Sequence, residues 1–570
     1  MLDTKRVIDS SERLILAAIL AVALALRLWG IGFGLPHRYH IDEPHTVLGA
    51  FRDASGDFAP RLPPNSPNLW EFILMAEYGL LFVVGKLANV YQSVWDFAQS
   101  YQADPTPFYL LARATSALSG TATVAVVHRA AKDIYRDRRA ALLAALFLAV
   151  AFLLGREAHY AVSDTFAVFL TTVGVYLWTK HAQGGRAGAL WVGTLLVGIA
   201  VGVKWRPLGL IPGLFAAVLF LQRTGSSTRV SQWLRFRRLL LAGLILVVGF
   251  FVGFPALFIN VDLFKWHLAL VGRWLPRLET LFAAGSQGSA GGGTDWMWFP
   301  MPGWRFYPLT LTWGLGPPLL LTSMGGVVKA LRRRSSGELT ILASALGYFV
   351  IICLPKTHFL RYALPLHPLL VILAAGFASA ASRQLQKRWG KVGRVANLAC
   401  VAGLLALPAA RLVRHDDLMT RTDTRTLGKA WIEARVPDGT SIAIEWPAHA
   451  PPLSRPGDPE PDSTRTYDVT ALRGVGLEAH PASWYREQGI EYLVATSFIY
   501  SIPMRGAVEN AERLAFYASL EREFELVHEF WPNETQTEPS FVLDEVFGPT
   551  VSLWQRDRPG PTLRIYRVSR

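Results

Sequence analysis

Long apolar runs recur along most of the chain and constrain its fold more than any other feature. About eleven stretches approach the length of roughly 20 residues that a helix needs to cross a bilayer core. They lie at residues 13–31, 109–128, 138–155, 160–180, 187–203, 207–222, 238–257, 306–328, 338–354, 361–380 and 394–411. This pattern predicts a polytopic α-helical membrane protein, with residues 1–411 as its transmembrane domain.

The positive charge of the chain is concentrated in short loops between these runs. The net charge is +14, and four basic clusters lie near residues 129–139, 223–238, 329–334 and 383–394. Loops of this kind face the cytoplasm and meet anionic lipid, so the charge does not indicate nucleic-acid binding. The predicted protein lies in the inner or plasma membrane, with its N-terminus in the cytoplasm and its C-terminus outside.

Residues 69–90 are apolar enough to be mistaken for a span, but they contain Glu71, Glu77 and Lys86. If they crossed, the basic clusters would fall outside, against the positive-inside rule. We therefore predict a helix at the outer membrane surface, within an outer loop of residues 32–108. The alternative is a true span paired with a second crossing near residues 91–107.

Two further outer regions differ in composition. The loop 258–305 contains a Gly/Ser-rich patch at 285–293, which predicts either a substrate gate or a spacer. From residue 412 the hydropathy falls. Asp423 can cap a helix that runs to about residue 434, and strands are predicted at 441–446, 491–496, 524–528 and 562–568. These alternating helix and strand patterns predict a soluble extracytoplasmic α/β domain over 412–570.

Two adjacent acids, Asp42 and Glu43, follow the first predicted span in a segment that also contains His45. Acids at this depth are costly to desolvate and are functional candidates. The alternative is that they cap a surface helix that begins at Pro44.

The predicted topology brings distant polar residues to the same outer face as Asp42. The turn 204–206 contains Lys204 and Arg206, and the other members are Arg113, His159, Asp164, Lys356 and Arg361. The alternative interpretations are that the cations anchor the protein at lipid headgroups and that Asp164 caps a helix. An amphiphile with a charged head in the outer leaflet would place that head among these side chains.

A lipid phosphate that carries a sugar suits this set of side chains. A carboxylate can accept the proton of an attacking hydroxyl, and direct displacement assisted by one base inverts the anomeric carbon. The leaving phosphate needs cations rather than a general acid, and Arg113, Lys204 and Arg361 are placed to supply them. The predicted catalytic residues are therefore Asp42, as the base or the acceptor-orienting carboxylate, and Glu43, which supports it. His45, His159, Asp164 and Lys356 are predicted to support the substrate site.

Metal dependence is not favoured by the sequence. His40, Asp42 and His45 have suitable side chains for a divalent metal, but no metal-binding helical spacing accompanies them. The chain also has no Asp-x-Asp pair, which weakly favours a lipid-linked donor over a nucleotide sugar. We therefore assign neither a metal nor a cofactor.

Several motifs, in this order and topology, resemble a known family. They are Asp42-Glu43, 68–74 (NLWEFIL), 108–113 (FYLLAR), 159–164 (HYAVSD), 359–365 (FLRYALP) and 423–433 (DTRTLGKAWIE). Together they resemble the polyprenyl-phosphate-dependent glycosyltransferases of the GT-C class, in particular glycosyltransferase family 39. This family includes the protein O-mannosyltransferases and the aminoarabinose transferases.

The resemblance implies an inverting sugar transfer from a polyprenyl-phosphate donor at the extracytoplasmic face. It implies that Asp42 is the base, that Arg113 contacts the donor phosphate and that Asp164 is the acid that opens a later span. The chain departs from the family at Pro44 and His45 and has no β-trefoil domain. Protein, lipid and glycan acceptors therefore all stay open.

Two other classes compete with this interpretation. A transporter or flippase would line its pathway with the same charges, but it predicts paired half-helices and charges near mid-span. A membrane scaffold with a partner-binding C-terminal domain leaves the clustered acids and bases unexplained. The concentration of charge at one face favours the enzyme.

Overall fold

The computed structural model describes residues 2–58, 66–220, 229–260, 262, 265, 301–355, 357–457, 465–472, 476–502 and 507–569. Helices make up the ordered elements up to residue 435, and a mixed α/β region follows. The helices are α1 (Leu2–Leu28), α2 (Glu43–Ala54), α3 (Leu69–Leu87), α4 (Val94–Ala103), α5 (Thr106–Tyr135), α6 (Arg138–Ala149), α7 (Phe152–Glu157), α8 (Asp164–Gly184), α9 (Ala187–Val203), α10 (Ile211–Leu219), α11 (Arg229–Gly253), α12 (Ala256–Ile259), α13 (Gly303–Leu315), α14 (Pro317–Arg333), α15 (Ser336–Cys353), α16 (Leu366–Met419), α17 (Thr424–Arg435), α18 (Ala482–Glu487), α19 (Ser497–Tyr500) and α20 (Ala507–Glu523).

Within the described residues, four helical stretches are long and apolar enough to cross a membrane. They are Thr106–Tyr135, Trp233–Gly253, Ser336–Cys353 and Leu366–Arg435, and Ala187–Val203 and Arg206–Leu219 are shorter apolar helices. The protein is thus mostly helical and has membrane-compatible helices, as the apolar runs predict. The count of about eleven spans stays a prediction.

Two of the predicted spans are broken rather than continuous. The stretch 138–155 divides into α6 and α7, and the stretch 306–328 divides into α13 and α14 at Gly316. Gly316 has φ 79° and ψ 149°, which a residue with a Cβ rarely adopts, and Pro317 and Pro318 follow it. The local backbone chemistry therefore interrupts an otherwise apolar pattern.

A glycine turn separates the last two predicted spans. Gly390 has φ 50° and ψ −117° inside α16, so two helical arms meet there. A Cβ placed on Gly393 would lie 2.3 Å from the carbonyl oxygen of Leu385, so the second arm returns close to the first. The basic cluster at 383–394 lies at this turn.

Helices α9 and α11 are in direct backbone contact through two pairs of glycines, each pair spaced by four residues. A Cβ added to Gly198 would lie 2.4 Å from a carbonyl oxygen of the partner helix, and one added to Gly202 would lie 2.3 Å from another. The equivalent distances for Gly249 and Gly253 are 2.4 and 2.1 Å. Small residues at such positions let helices approach closely in a membrane.

The segment 69–90 contains helix α3, which has a well-defined start. The side chain of Asn68 accepts a hydrogen bond from the Trp70 amide at 3.0 Å, and the Asn68 amide donates to Glu71 Oε2 at 2.6 Å. This reciprocal pair is a capping box. Helix α3 packs against α2 and is not among the four long apolar stretches.

The C-terminal region contains a five-stranded sheet with the order β2-β1-β3-β5-β4. Strands β1, β2 and β3 are parallel to one another, and β5 runs antiparallel to both β3 and β4. The strands are β1 (Ser441–Ile444), β2 (Asp468–Ala471), β3 (Tyr492–Thr496), β4 (Glu525–Phe530) and β5 (Leu563–Arg567). The predicted α/β character is present, with helix α17 capped at Asp423 as expected.

No break in structure marks the predicted domain boundary at residue 412, because α16 continues to Met419. An apolar cluster then joins the C-terminal region to the helical part, and we name it the junction cluster. Its buried members are Phe359, Phe498, Ile499, Ile502, Leu543, Val546 and Phe547, packed with Ile41, Tyr362, Trp446 and Phe541.

Candidate active site

A cavity of about 380 Å³ lies where the start of α2, the start of α8, the end of α9 and the turn before α16 meet. It contains both acids and bases. Its lining residues are Asp42, His45, Thr46, Asn68, Glu71, Val162, Ser163, Asp164, Lys204, Trp205, Arg206, Arg361 and Tyr362. The structure therefore brings together five of the residues that were given a role from the sequence: Asp42, His45, Asp164, Lys204 and Arg361.

Asp42 faces the cavity rather than capping its helix. It occupies the N-cap position of α2, but its side chain makes no capping hydrogen bond. Instead, Asp42 Oδ2 lies 2.6 Å from a guanidinium nitrogen of Arg361. The side chain of Asp42 is 35% exposed and that of Arg361 is 12% exposed, so the carboxylate stays accessible from the cavity.

The ion pair holds Asp42 in its charged form. Burial raises the pKa of Asp42, but the positive charge of Arg361, with smaller contributions from His40, Lys204 and His45, outweighs it. The net pKa therefore lies below its ordinary value, and Asp42 is an ionised carboxylate at neutral pH.

Asp164 and Lys204 form a second ion pair at the cavity wall, with 2.5 Å between Lys204 Nζ and Asp164 Oδ2. Asp164 opens α8 and Lys204 follows the last residue of α9. No side-chain capping bond is present at the start of α8. Burial lowers the pKa of Lys204, and Asp164 partly offsets this effect.

Arg206 is the cavity cation that lacks a carboxylate partner among the residues described. Its guanidinium carbon lies 3.2 Å from the ring centroid of Tyr362 and 5.1 Å from that of Trp205. Its Nε is buried and has no hydrogen-bond partner in the described part of the chain. The sequence placed Arg206 in the outer turn but gave no signal that distinguished it from a headgroup anchor.

Glu43 and Arg113 lie behind the cavity wall as a buried pair. Arg113 Nε and Nη2 donate to the two carboxylate oxygens of Glu43 at 2.7 Å each. Arg113 Nη1 donates to the carbonyl oxygens of Ile31 and Phe33 at 2.7 and 2.8 Å. Glu43 also accepts from the Ala161 amide at 2.7 Å. The side chain of Glu43 is 0% exposed and that of Arg113 is 1% exposed.

This geometry favours a structural role for Glu43 and Arg113 over the catalytic and phosphate-binding roles that the sequence predicts, and those roles stay predictions. Each nitrogen of the Arg113 guanidinium already donates to a protein oxygen, and both side chains are buried. A donor phosphate would therefore have to displace one of these partners. The pair links the start of α2 to α5, next to Asp42.

His159 does not line this cavity, and its predicted supporting role stays a prediction. It is buried, with Nδ1 2.9 Å from the Gly155 carbonyl oxygen and Nε2 3.0 Å from that of Trp29. Burial lowers its pKa to about 4. His159 groups with His415 and Asp416, whose potential ligand atoms all lie within 4.8 Å of one another. These three residues do not line the cavity.

Two sequence expectations lie outside the described residues. One is Lys356, and the other is the Gly/Ser-rich patch at 285–293 in the predicted gate.

The cavity itself continues into a smaller cleft of about 20 Å³ that shares Asp164, Lys204, Arg206, Arg361 and Tyr362 with it. The other residues of the cleft are mainly apolar: Ala167, Val168, Pro207, Tyr348, Leu364 and Pro365.

Comparison with protein families supports the resemblance drawn from the motifs. Residues 79–261 match the family "Dolichyl-phosphate-mannose-protein mannosyltransferase". Comparison with curated protein sequences gives no match.

The fold of the chain is similar to that of a solved oligosaccharyltransferase. The apo crystal structure of the Archaeoglobus fulgidus oligosaccharyltransferase aligns over 98% of this chain and 88% of its own, with a TM-score of 0.53 and 12% identity. A crystal structure of ArnT from Cupriavidus metallidurans bound to undecaprenyl phosphate aligns over 90% of this chain and 96% of its own, with a TM-score of 0.46 and 16% identity. The chain thus shares its fold with the Archaeoglobus fulgidus oligosaccharyltransferase, and its residues 79–261 are similar to the dolichyl-phosphate-mannose-protein mannosyltransferase family.

Proposed function

We propose that the protein transfers a sugar from a polyprenyl-phosphate-linked donor to an extracytoplasmic acceptor, with inversion at the anomeric carbon. The glycosyltransferase class follows from the fold and the family match. The observation that carries the proposal is the cavity itself, in which the accessible carboxylate of Asp42 lies beside the cations Lys204, Arg206 and Arg361. Neither the family match nor the fold supports the transporter alternative.

The donor phosphate binds among the three cavity cations. Arg206 is the primary ligand because it has no carboxylate to displace among the described residues, and its stacking on Tyr362 orients its planar fork. Lys204 and Arg361 contribute charge while they stay near Asp164 and Asp42. The apolar residues of the adjoining cleft lie on the side where the prenyl chain leaves the phosphate.

The reaction is a single displacement. The acceptor oxygen attacks the anomeric carbon and forms the new glycosidic bond, while the bond from that carbon to the phosphate oxygen breaks. The acceptor hydroxyl gives its proton to Asp42, which later releases it to water. Polyprenyl phosphate leaves with an additional negative charge, which the cations stabilise.

The ion pair between Asp42 and Arg361 links donor binding to the strength of the base. A carboxylate with a depressed pKa is a weak base, and Arg361 is the main favourable contributor to that depression. A phosphate that draws Arg361 toward itself competes with Asp42 for the guanidinium charge. The pKa of Asp42 then rises, and its basicity increases when the donor is present.

A pH prediction follows for the wild-type enzyme. Activity requires ionised Asp42, so it falls as the pH drops through the pKa of this group. The acid limb of kcat/KM reports the free enzyme and the limb of kcat reports the donor complex. We therefore expect the kcat limb at higher pH than the kcat/KM limb. Initial rates from pH 3 to 8 on a buffered liposome preparation would measure both, and coincident limbs would contradict the competition for Arg361.

Arg206→Gln is expected to raise the KM for the lipid-linked donor by about 10- to 100-fold, the usual value of a hydrogen bond to a charged group. The effect on kcat should be smaller. Donor titrations, together with competition by undecaprenyl phosphate, would measure the loss. Arg305→Gln is the matched control, because Arg305 also stacks on a tryptophan, at 4.8 Å, but does not line the cavity. An unchanged donor KM in Arg206→Gln would remove Arg206 from the phosphate site.

The function is tested by transfer from a panel of radiolabelled polyprenyl-phosphate sugars to a crude envelope extract. The same assay in sealed vesicles, with the extracytoplasmic face outward and the donor and acceptor added to the outside, also tests the proposed orientation. Transfer without permeabilisation is expected. Transfer only after permeabilisation would overturn the orientation, and lipid movement without transfer would favour the transporter.

A further inference from the structure

The segment Leu543–Gly548 of the C-terminal region reaches the cavity wall and contacts Arg361 directly. The guanidinium carbon of Arg361 lies 4.3 Å from the ring centroid of Phe547 and 4.9 Å from that of Phe359. Phe547 is buried in the junction cluster. Two aromatic rings therefore restrict the long side chain that pairs with Asp42.

The same segment also holds the backbone that carries Arg361. Asp544 Oδ1 accepts a hydrogen bond from the Leu360 amide at 2.9 Å. Leu360 begins the short 3-10 turn Leu360–Ala363, which contains Arg361. Asp544 is buried, and its Oδ2 has no hydrogen-bond partner among the described residues. Its position is therefore determined by this contact rather than by solvent.

The segment is anchored to the helical part of the protein by Arg156. Arg156 Nη2 donates to the carbonyl oxygens of Asp544 and Gly548 at 2.9 and 3.0 Å, and Nη1 donates to Glu157 at 2.8 Å. The junction cluster includes Ile41, the neighbour of Asp42. Both partners of the catalytic ion pair thus adjoin the same apolar contact.

We propose that Phe547 and Asp544 are positioning residues that hold Arg361 against Asp42, so that the C-terminal domain completes the active site. This inference rests on the proposed function. Phe547 restricts the guanidinium by stacking, and Asp544 fixes the turn that carries it. Neither residue touches the reacting atoms.

Phe547→Leu tests the ring, because leucine keeps an apolar side chain but removes the aromatic face. We expect kcat/KM to fall about 2- to 30-fold, the range of a cation–π contact, because a less restricted Arg361 contributes less to binding of the donor phosphate. Its acid limb should move to higher pH, because Asp42 loses part of the charge of Arg361. Phe547→Trp retains an aromatic face and should restore both kcat/KM and the position of the acid limb.

Asp544 has its own matched pair of variants. Asp544→Asn keeps an oxygen acceptor for the Leu360 amide and should behave like the wild type, whereas Asp544→Ala should lower kcat/KM and move the acid limb upward. Phe516→Leu is the control, because Phe516 packs in a different core cluster of the same domain. Thermal denaturation in detergent identifies variants that fail to fold.

The outcomes separate the two proposals. A wild type that transfers no sugar from any donor overturns the proposed function. A wild type that transfers, with Phe547→Leu matching Phe516→Leu in kcat, KM and acid limb, overturns the positioning role. If Phe547→Leu does not fold, the inference is tested with the two Asp544 variants alone. Equal kcat/KM values and equal acid limbs in Asp544→Asn and Asp544→Ala would refute it.

Discussion

Asp42→Asn is expected to reduce kcat for sugar transfer by about 10²- to 10⁴-fold, the usual contribution of a positioned general base. Asparagine preserves the shape of the side chain and can still accept a hydrogen bond, but it cannot take the proton of the acceptor hydroxyl. Single-turnover transfer from a labelled donor would isolate the chemical step from product release.

Donor binding should behave differently from kcat in this variant. Asp42→Asn releases Arg361 from its 2.6 Å ion pair, so more of the guanidinium charge is available to the phosphate. We expect an unchanged or lower donor KM. Asp57→Asn is the control, since Asp57 also pairs with an arginine, at 3.4 Å, but on the exposed surface. Near-normal kcat in Asp42→Asn would exclude Asp42 as the base.

Glu43→Gln is expected to destabilise the protein by about 3–5 kcal/mol, because it leaves the charge of Arg113 buried without a partner. Arg113→Met removes the other partner and should destabilise by a similar amount. The double variant should lose less than the sum of the two single variants, since no uncompensated charge remains. Thermal denaturation in detergent would measure this coupling.

The coupling also separates a structural role for Arg113 from the phosphate-binding role that the sequence predicted. The exposed pair Arg567–Glu525 lies at 3.2 Å, and Glu525→Gln should leave the stability almost unchanged because solvent screens this pair. If Arg113→Met kept full stability and only raised the donor KM, the predicted phosphate contact would be restored and our placement of Arg113 rejected.

Local signals predicted the elements whose pattern is complete within a few residues. The cap at Asp423 and the helix after it are examples, as is β1 at Ser441–Ile444. Strand β2 (Asp468–Ala471) was missed because it is a four-residue edge strand without clear alternation. The break at Gly316 was also missed, because the apolar residues on both sides of it predict one continuous span and hide the change of backbone angle at a single residue.

The sequence could predict which charged residues lie at the same face of the membrane, because the order of the spans determines this. It could not predict which of them pair. Asp42, Lys204 and Arg361 meet because each follows or precedes an apolar run at the same depth. Which acid meets which arginine depends on rotation, since adjacent residues of a helix point about 100° apart. Asp42 therefore reaches Arg361, while Glu43 reaches Arg113.

The contribution of Phe547 had no local signal at all. Its segment is a short 3-10 turn, Leu543–Phe547, and has no periodic pattern that marks a functional element. Its proximity to Arg361 arises from packing between regions far apart in the chain.

The glycine pairs between α9 and α11 have a consequence for how the cavity can change shape. Backbone lies against backbone at Gly198, Gly202, Gly249 and Gly253, so at these four positions no side chain can change rotamer to let one helix slide past the other. We therefore expect the two helices to move as one body, together with Lys204, which follows α9. Room for a bulkier sugar is then expected from cavity walls where side chains make the contacts.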